Sequence, residues 1–404
     1  MNCEGYEHSL IWGLYEIGMQ DKELAREELD SAAMVKVIGV GGGGCNAIDN
    51  MIRSGLSGVE FISANTDAQT LYKNLSDKKI HLGVNVTRGL GAGADPEVGE
   101  KAAIEERDEI EKAIDGAQML FITTGMGGGT GTGASSVIAD IAKSKGILTV
   151  AVVTRPFEYE GSKRNQVAQD GIEKLKTLVD SLIVIPNDNL LKELGQDVSM
   201  REAFKEADSV LTAAVSGIHE IVSSPGLVNL DFSDVQNIMR LRGIAMMGSA
   251  QESGEDRARL ATERAISNPL LDNVSLNGAK GVLLNITTAP GALRLSEYHE
   301  ITSIIRSHID PEAETKYGMM ESESMPEDTL RVTLIATNLE DSSSISYRSH
   351  CLKVNKGTGT HGLEPVIRSG RNNVRATKLT AEDFKKQSVM DAFEIPAMLR
   401  RQAD

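Results

Sequence analysis

The sequence predicts an α/β fold: a parallel sheet with helices on both faces, then a long central helix and a second, smaller α+β domain. Three observations carry that prediction. Apolar runs of strand length at 34–40, 59–64, 118–123, 147–153 and 181–185 alternate with helical stretches. Several runs are almost wholly apolar, as strands buried on both faces must be. Two of them run straight into glycine-rich junctions that open helices, and in such sheets ligands sit at the carboxyl ends of strands.

The elements follow in chain order. Val35-Lys36-Val37-Ile38-Gly39-Val40 reads as a buried strand, running into Gly41-Gly42-Gly43-Gly44-Cys45-Asn46 and a helix over Ala47–Ser54. Gly39, Gly41 and Gly44 fit the G-x-G-x-x-G spacing, and Asp67 lies beyond the next strand, so a dinucleotide fingerprint is present in outline. Turn glycines give the same spacing about as often, which makes this signal weak alone. Met119-Leu120-Phe121-Ile122 leads into the second junction, where six of the twelve residues 122–133 are glycine, and then a helix over Ala134–Lys143. Such density brings bare N–H groups against a ligand, and the helix adds the positive end of its dipole. The junction suits an anion, and phosphate is the expectation. A third glycine stretch, Gly89–Ala94, adds donors, though a surface loop reads equally well there.

A helical segment over Ser199–Ser223 follows, and the second domain begins near Asn229, with strands at Gly281–Thr287 and Leu330–Thr337. After about residue 340 the composition shifts to Ser, Asn, Gly, Lys and Arg, too poor in large apolar groups to offset the entropy of ordering. The domain expectation is an N-terminal extension over 1–33, partly helical at Asp21–Leu29; a nucleotide-binding domain over 34–198; a central helix and connection over 199–228; a second domain over 229–340; a flexible linker over 341–389; and a terminal peptide over 390–404. That peptide sets apolar anchors, Phe393 and Ile395 among them, beside Arg400-Arg401, which suits either a groove on a partner or a frayed end.

The chain of 404 residues is long enough for two or three domains. A net charge of −16 argues against general nucleic-acid binding, which needs clustered Lys and Arg. Three cysteines are too few and scattered for a disulfide framework or a zinc site, so no protein metal centre is expected. Cys45 begins near a helix start, where a thiol pKa can fall, but a small residue packed beneath the loop is the better reading. No segment approaches the eighteen or so apolar residues of a membrane span. Leu10–Ile17 is short and preceded by acidic residues, so it fails as a secretory signal and a cytoplasmic protein is the expectation.

No Gly-Lys pair occurs anywhere, which removes the ordinary P-loop NTPases. An NAD-dependent oxidoreductase stays open on Gly39, Gly41, Gly44 and Asp67, yet gives no reason for the loop at 127–133. That loop, Gly127–Gly133, together with Thr123-Thr124-Gly125-Met126, resembles the signature of the tubulin/FtsZ GTPase family in its bacterial form. Asn65–Gln69, Arg88–Gly93, Arg155-Pro156-Phe157 with Glu160-Gly161, Ile185–Asp188 and Asn229–Asp234 resemble further motifs of that family in the same order. The resemblance covers roughly 34–340 and the last fifteen residues.

What the resemblance implies is a filament-forming GTPase of bacterial cell division, at the mid-cell division site. Gly42, Gly43, Gly128, Gly129, Thr130, Gly131, Thr132 and Gly133 would hold the α- and β-phosphates of GTP or GDP, and Ala92, Gly93 and Ala94 would close on the γ-phosphate. Asn46, Asn187 and Asp208 match base-contacting positions, Phe204 would stack on the base, and Glu160 and Arg164 match ribose- and base-contacting ones. Asn229, Asp231 and Asp234 would enter the nucleotide site of the next subunit in a head-to-tail filament and orient the attacking water. Mg²⁺ would sit mainly on phosphates and water, with Asp67 a candidate outer contributor. The terminal peptide resembles a tail that binds membrane tethers and regulators such as FtsA and ZipA, with Met398 where a larger aromatic is usual. Ser135-Ser136 replaces a common Ala-Pro pair, removing a proline that favours a helix start. A paralogue that assembles but hydrolyses poorly is the alternative, disfavoured because Asp231 and Asp234 are both present.

Overall fold

The computed structural model describes residues 34–194, 198–223, 228, 230–268 and 276–339. The expected N-terminal extension with its helix at 21–29, the linker, the terminal peptide and Asn229 lie outside the described residues.

The first half alternates strand and helix as expected. β1 (Val35–Val40), β2 (Val59–Asn65) and β3 (Lys78–His81) are joined through α1 (Gly41–Arg53) and α2 (Ala68–Lys73). The short α3 (Val84–Thr87), α4 (Pro96–Glu105) and α5 (Arg107–Ile114) lead to β4 (Met119–Gly125) and α6 (Thr130–Ser144). β5 (Leu148–Arg155), α7 (Ser162–Lys176), β6 (Ser181–Pro186), α8 (Asn187–Leu194) and α9 (Met200–Ser223) complete this half. Then come α10 (Phe232–Met239), β7 (Gly243–Ser253), α11 (Arg257–Ile266), β8 (Gly281–Thr288), α12 (Leu295–His308), β9 (Glu314–Glu321) and β10 (Thr329–Leu339).

These strands form one ten-stranded sheet in the order β3-β2-β1-β4-β5-β6-β7-β10-β8-β9. From β3 through β7 every pairing is parallel; β10 runs antiparallel to both β7 and β8, and β9 is parallel to β8. Period-two alternation sorts the strand residues between two cores. Val37, Phe121, Val150 and Val152 face one side with α1, α9 and α10, while Ile38, Ile122, Ala151 and Val153 face the other with α4, α5, α6 and α7. A third core sets α11 and α12 against β7, β8 and β10.

α9 joins the halves. Its buried Ala207, Val210, Leu211, Ala214, Val215, Ile218 and Ile221 recur at helical spacing and share a core with Leu283 of β8 and Ile335 of β10. The 24-residue helix is about 36 Å long, so one element packs against strands of both halves.

Two helices begin earlier than their sequence suggests. α1 starts at Gly41 rather than Ala47, and α6 at Thr130 rather than Ala134. Glycine is a poor helix former, but these glycines sit where a side chain has no room. A Cβ on Gly133 would collide with the Pro96 carbonyl of α4, and one on Gly131 with the Thr124 hydroxyl. Backbone approach decides both cases, and intrinsic propensity yields to it.

Candidate nucleotide site

The site starts from two bare helix ends. α1 follows β1 directly, with Val40 at its N-cap, and α6 follows the loop after β4, with Gly129 at its N-cap. Neither cap residue supplies a side-chain hydrogen bond, and neither first turn carries an acid. Two sets of unsatisfied N–H groups therefore lie at the carboxyl ends of adjacent strands, an anion-binding arrangement. Between them opens a cleft of about 290 Å³.

The glycines in and behind this cleft divide by what a side chain would meet. Gly39 and Gly44 are needed inside the fold, since a Cβ on either would strike the backbone of the other. Gly42 and Gly128 have nothing within 4 Å of a built Cβ and line the cleft. No contact within the described chain requires glycine at these two positions, whereas a ligand lying on the backbone would.

Thr124 Oγ1 donates to Val40 O at 2.9 Å and ties the ends of β4 and β1. Thr130 and Thr66 share a hydroxyl hydrogen bond at 2.6 Å, and Gly127 N donates to Thr132 Oγ1 at 2.9 Å, closing the loop on itself. Gly43, Gly129, Thr130 and Gly131 line the cleft; Thr132 and Gly133 are buried behind it, one bonding its own loop and the other against α4. Ser136 Oγ donates to Gly133 O at 2.9 Å, so the serine pair is absorbed within the helix.

The far wall is polar and aromatic: Asn46, Glu160, Arg164, Asn187, Phe204 and Asp208. Glu160 accepts from Phe157 N at 2.9 Å and pairs with Arg164 at 2.9 Å. Asn187 is buried, and among the described residues its Oδ1 has no hydrogen-bond partner. A buried orphan acceptor in a cleft is a place for a ligand donor. Phe204 is 41% exposed despite its size and packs edge-on to Phe157 at 5.5 Å, leaving a face to the cleft. Asp208, one turn along α9, is pushed up to about 7 by burial.

The segment 88–94 carries positive φ at Arg88, Gly89, Gly91, Gly93 and Ala94. Two of these are not glycine, so the loop holds backbone strain of about 1–2 kcal/mol at each. Ala92, Gly93 and Ala94 do not line the cleft, but Ala92 and Asp95 pack beside Gly129 at its edge.

Asp231 and Asp234 stand elsewhere. Asp231 is the N-cap of α10, and Asp234 Oδ1 is held by Lys316 Nζ at 2.8 Å. From Asp208 to the end of α9 at Ser223 the rise is about 22 Å, which carries the chain away from the cleft before the acidic segment begins.

Asp67 has a different employment. It caps α2, accepting from Gln69 N at 2.9 Å, Thr70 N at 3.4 Å and the Thr70 hydroxyl at 2.9 Å. The hydroxyl bond to Thr70 is the main reason its pKa lies below the usual range. Cys45 is buried and raised to about 11 by that burial, so its thiol is inert at neutral pH.

The family model described as Tubulin/FtsZ family, GTPase domain, matches residues 34–195, and that described as FtsZ family, C-terminal domain, matches 243–340. The chain belongs to the tubulin/FtsZ family. It is 58% identical over 381 residues to the cell division protein FtsZ of Neisseria meningitidis serogroup A, covering 93% of this chain and 97% of that one. It is 47% identical over 394 residues to the FtsZ of Pseudomonas aeruginosa, covering 94% and 99%. A solved FtsZ dimer from M. jannaschii superposes with a TM-score of 0.73 at 43% identity, over 79% of this chain and 92% of that one. A CetZ2 protofilament from Haloferax volcanii, at 20% identity and TM-score 0.65, shares the fold.

As a member of this family the chain is a GTPase, and the oxidoreductase alternative falls. Phe204, Asp208, Asp231 and Asp234 lie between the two matched stretches, so they rest on geometry and motif. Sequence reading overlooked Thr154 and named Pro156 only within a motif; both line the cleft where β5 ends. The rule that ligands gather at strand carboxyl ends points to that position. It also missed the Lys316 contact, for which no local signal exists.

Proposed function

We propose that this cleft binds GTP and that the chain assembles head to tail, each subunit completing the hydrolytic site of its neighbour. The observation that carries this reading is the separation of parts. The cleft offers anion donors, an aromatic face and two acids, yet neither acid is suited to water activation. Glu160 is held by Arg164, and Asp208 stands on the far wall beside Phe204. Asp231 and Asp234 do not line the cleft; Asp234 gives one oxygen to Lys316 and stays 30% exposed where Glu160 is nearly buried, and contact between copies would bring such acids to a neighbour's cleft.

In this reading Gly42, Gly43 and Gly128–Gly133 hold the α- and β-phosphates, and Ala92, Gly93 and Ala94 respond to the γ-phosphate. Phe204 stacks on the base, with Asn46 and Asn187 beside it, and Glu160 and Arg164 reach the ribose edge. Ionised Asp208 accepts from guanine N1–H and the 2-amino group, which adenine cannot supply; the unpaired buried carboxylate penalises the wrong base. Asn229, Asp231 and Asp234 of the next subunit orient water for in-line attack, and Mg²⁺ on the phosphates offsets developing charge. In this reading the ion's ligands are phosphate oxygens and water, as is usual for Mg²⁺.

Because a subunit offers its two ends to different neighbours, association is heterologous and yields open filaments. Relatives carry the name cell division protein, and division at mid-cell in the cytoplasm is the corresponding role for this chain. The residues over 34–198 act as the GTP-binding half, 199–228 as the connecting helix, 229–340 as the activating half, and 390–404 as a tail for tethers of the FtsA or ZipA kind. Among the described residues no helix is long and apolar enough to cross a membrane.

GTP turnover with Mg²⁺ is measured across protein concentrations, with sedimentation in parallel. Turnover per subunit rises from near zero above a threshold at which protein pellets. Turnover unchanged by dilution defeats the shared site.

A further inference from the structure

The acidic segment rests on β9, the edge strand of the sheet, through contacts at three nearby positions. Val228 and Met319 form an antiparallel bridge, Val228 N donating to Met319 O at 3.4 Å and Met319 N to Val228 O at 3.2 Å. Leu230 lies over Gly318, where an added Cβ would come within 2.9 Å of Leu230 Cδ1. Lys316 Nζ then reaches Asp234 Oδ1 at 2.8 Å, with the two side chains 33% and 30% exposed. Lys316 and Gly318 are two residues apart on a strand and share a face.

We propose that β9 is the seat that sets the acidic segment, and that Lys316 is the positioning residue for Asp234. This rests on the functional reading above, in which Asp234 orients water for the next subunit. Two physical effects require such a residue. A short exposed carboxylate samples several rotamers, and an ion pair at 2.8 Å to a strand residue selects one. Asp234 must also approach a triphosphate of like charge, and the ammonium beside it offsets that repulsion. The hydrogen bond that Lys316 donates to Asp234 raises the pKa of Lys316 above its ordinary value, so the ammonium stays charged at neutral pH.

The test compares Lys316→Met, Lys316→Arg and Asp234→Ala in the full chain. It reads GTP turnover per pelleted subunit, GTP affinity, and pelleting with a slowly hydrolysed GTP analogue. Misplacing a reacting group by about 1 Å costs about a hundredfold in rate, so Lys316→Met lowers turnover by about tenfold or more. GTP affinity and analogue-driven pelleting stay within about twofold, and Lys316→Arg restores most of the turnover, because these readouts do not depend on the Asp234 geometry. Two results overturn the inference: an inactive Asp234→Ala beside a Lys316→Met variant of ordinary turnover, or a Lys316→Met variant whose pelleting falls as far as its turnover. Ordinary turnover in Asp234→Ala instead defeats the functional reading itself.

Discussion

Asp208 and Gly42 show how single residues report on a ligand. Burial lifts the Asp208 carboxyl from its ordinary 3.8 to about 7 in the free protein. The neutral acid is therefore the form the free fold favours, and its contribution to stability is present below about pH 4 and lost as pH rises through about 7. Guanine binding requires the opposite form. Affinity for GTP should hold above pH 7 and fall about tenfold per unit below it, while Asp208→Asn should bind GTP poorly at every pH. Binding measured from pH 5.5 to 8 checks this, and a flat profile removes Asp208 from the base site. Gly42 has an open space where a Cβ would go and Gly39 has none, which separates ligand from fold. Gly42→Ala should leave stability unchanged or raise it by up to about 1 kcal/mol while weakening GTP binding. Gly39→Ala should lose about 1–3 kcal/mol from overpacking before any effect on binding. Thermal melts with and without GTP separate the two. The G-x-G-x-x-G spacing made Gly39 and Gly44 the more visible pair in the sequence, yet they serve the chain itself. Gly42 was legible only through the family resemblance.

β1, β4 and β5 were legible because both faces are buried, leaving unbroken apolar runs that sequence shows directly. Helix starts were not, since α1 and α6 draw their first turns from glycine. Their reason lies in contacts with β4 and α4, which no local pattern records. β3, β7 and β9 were missed for another reason: all are partly exposed, and the residues 307–329 that contain β9 read as polar and acidic. The cap on α2 was hidden in plain view, because Asp67 fits a dinucleotide fingerprint as well as it fits an N-cap. The structure gives it three hydrogen bonds to Gln69 and Thr70. Asp67→Ala should therefore lower stability by about 1 kcal/mol through loss of the cap. GTP turnover per pelleted subunit should change less than twofold, as expected of a group acting on α2 alone. A large loss of turnover at unchanged stability would return Asp67 to the metal's outer shell.

At the scale of the molecule, one sheet and one helix give a subunit two unlike ends. β6 pairs with β7 over Ser181–Ile183, so the sheet runs on from the parallel half, and α9 runs about 22 Å beyond Asp208 before it ends at Ser223. Sequence could mark each end but not the gap between them; the gap follows from helix length and packing. The Asp234–Lys316 pair was equally invisible, since a side-chain contact between distant segments leaves no periodic trace. That geometry can be tested by assigning each end to a different variant. Asp208→Asn replaces an acceptor with a carboxamide whose N–H₂ suits the C2 carbonyl of xanthine, so these subunits should use XTP and leave GTP alone. Asp234→Ala subunits keep a guanine cleft but lack the acid that serves a neighbour. Each variant alone should release no phosphate from GTP. In an equal mixture supplied with both nucleotides, half the clefts accept GTP, and half of those meet an intact acidic segment in a random filament. GTP turnover per total subunit should then recover to about one quarter of the wild-type value, because head-to-tail junctions pair unlike surfaces of two copies. Phosphate release with γ-labelled GTP measures it. A site contained within one subunit predicts no recovery at any mixing ratio, since no single subunit then holds both a guanine cleft and a working acid.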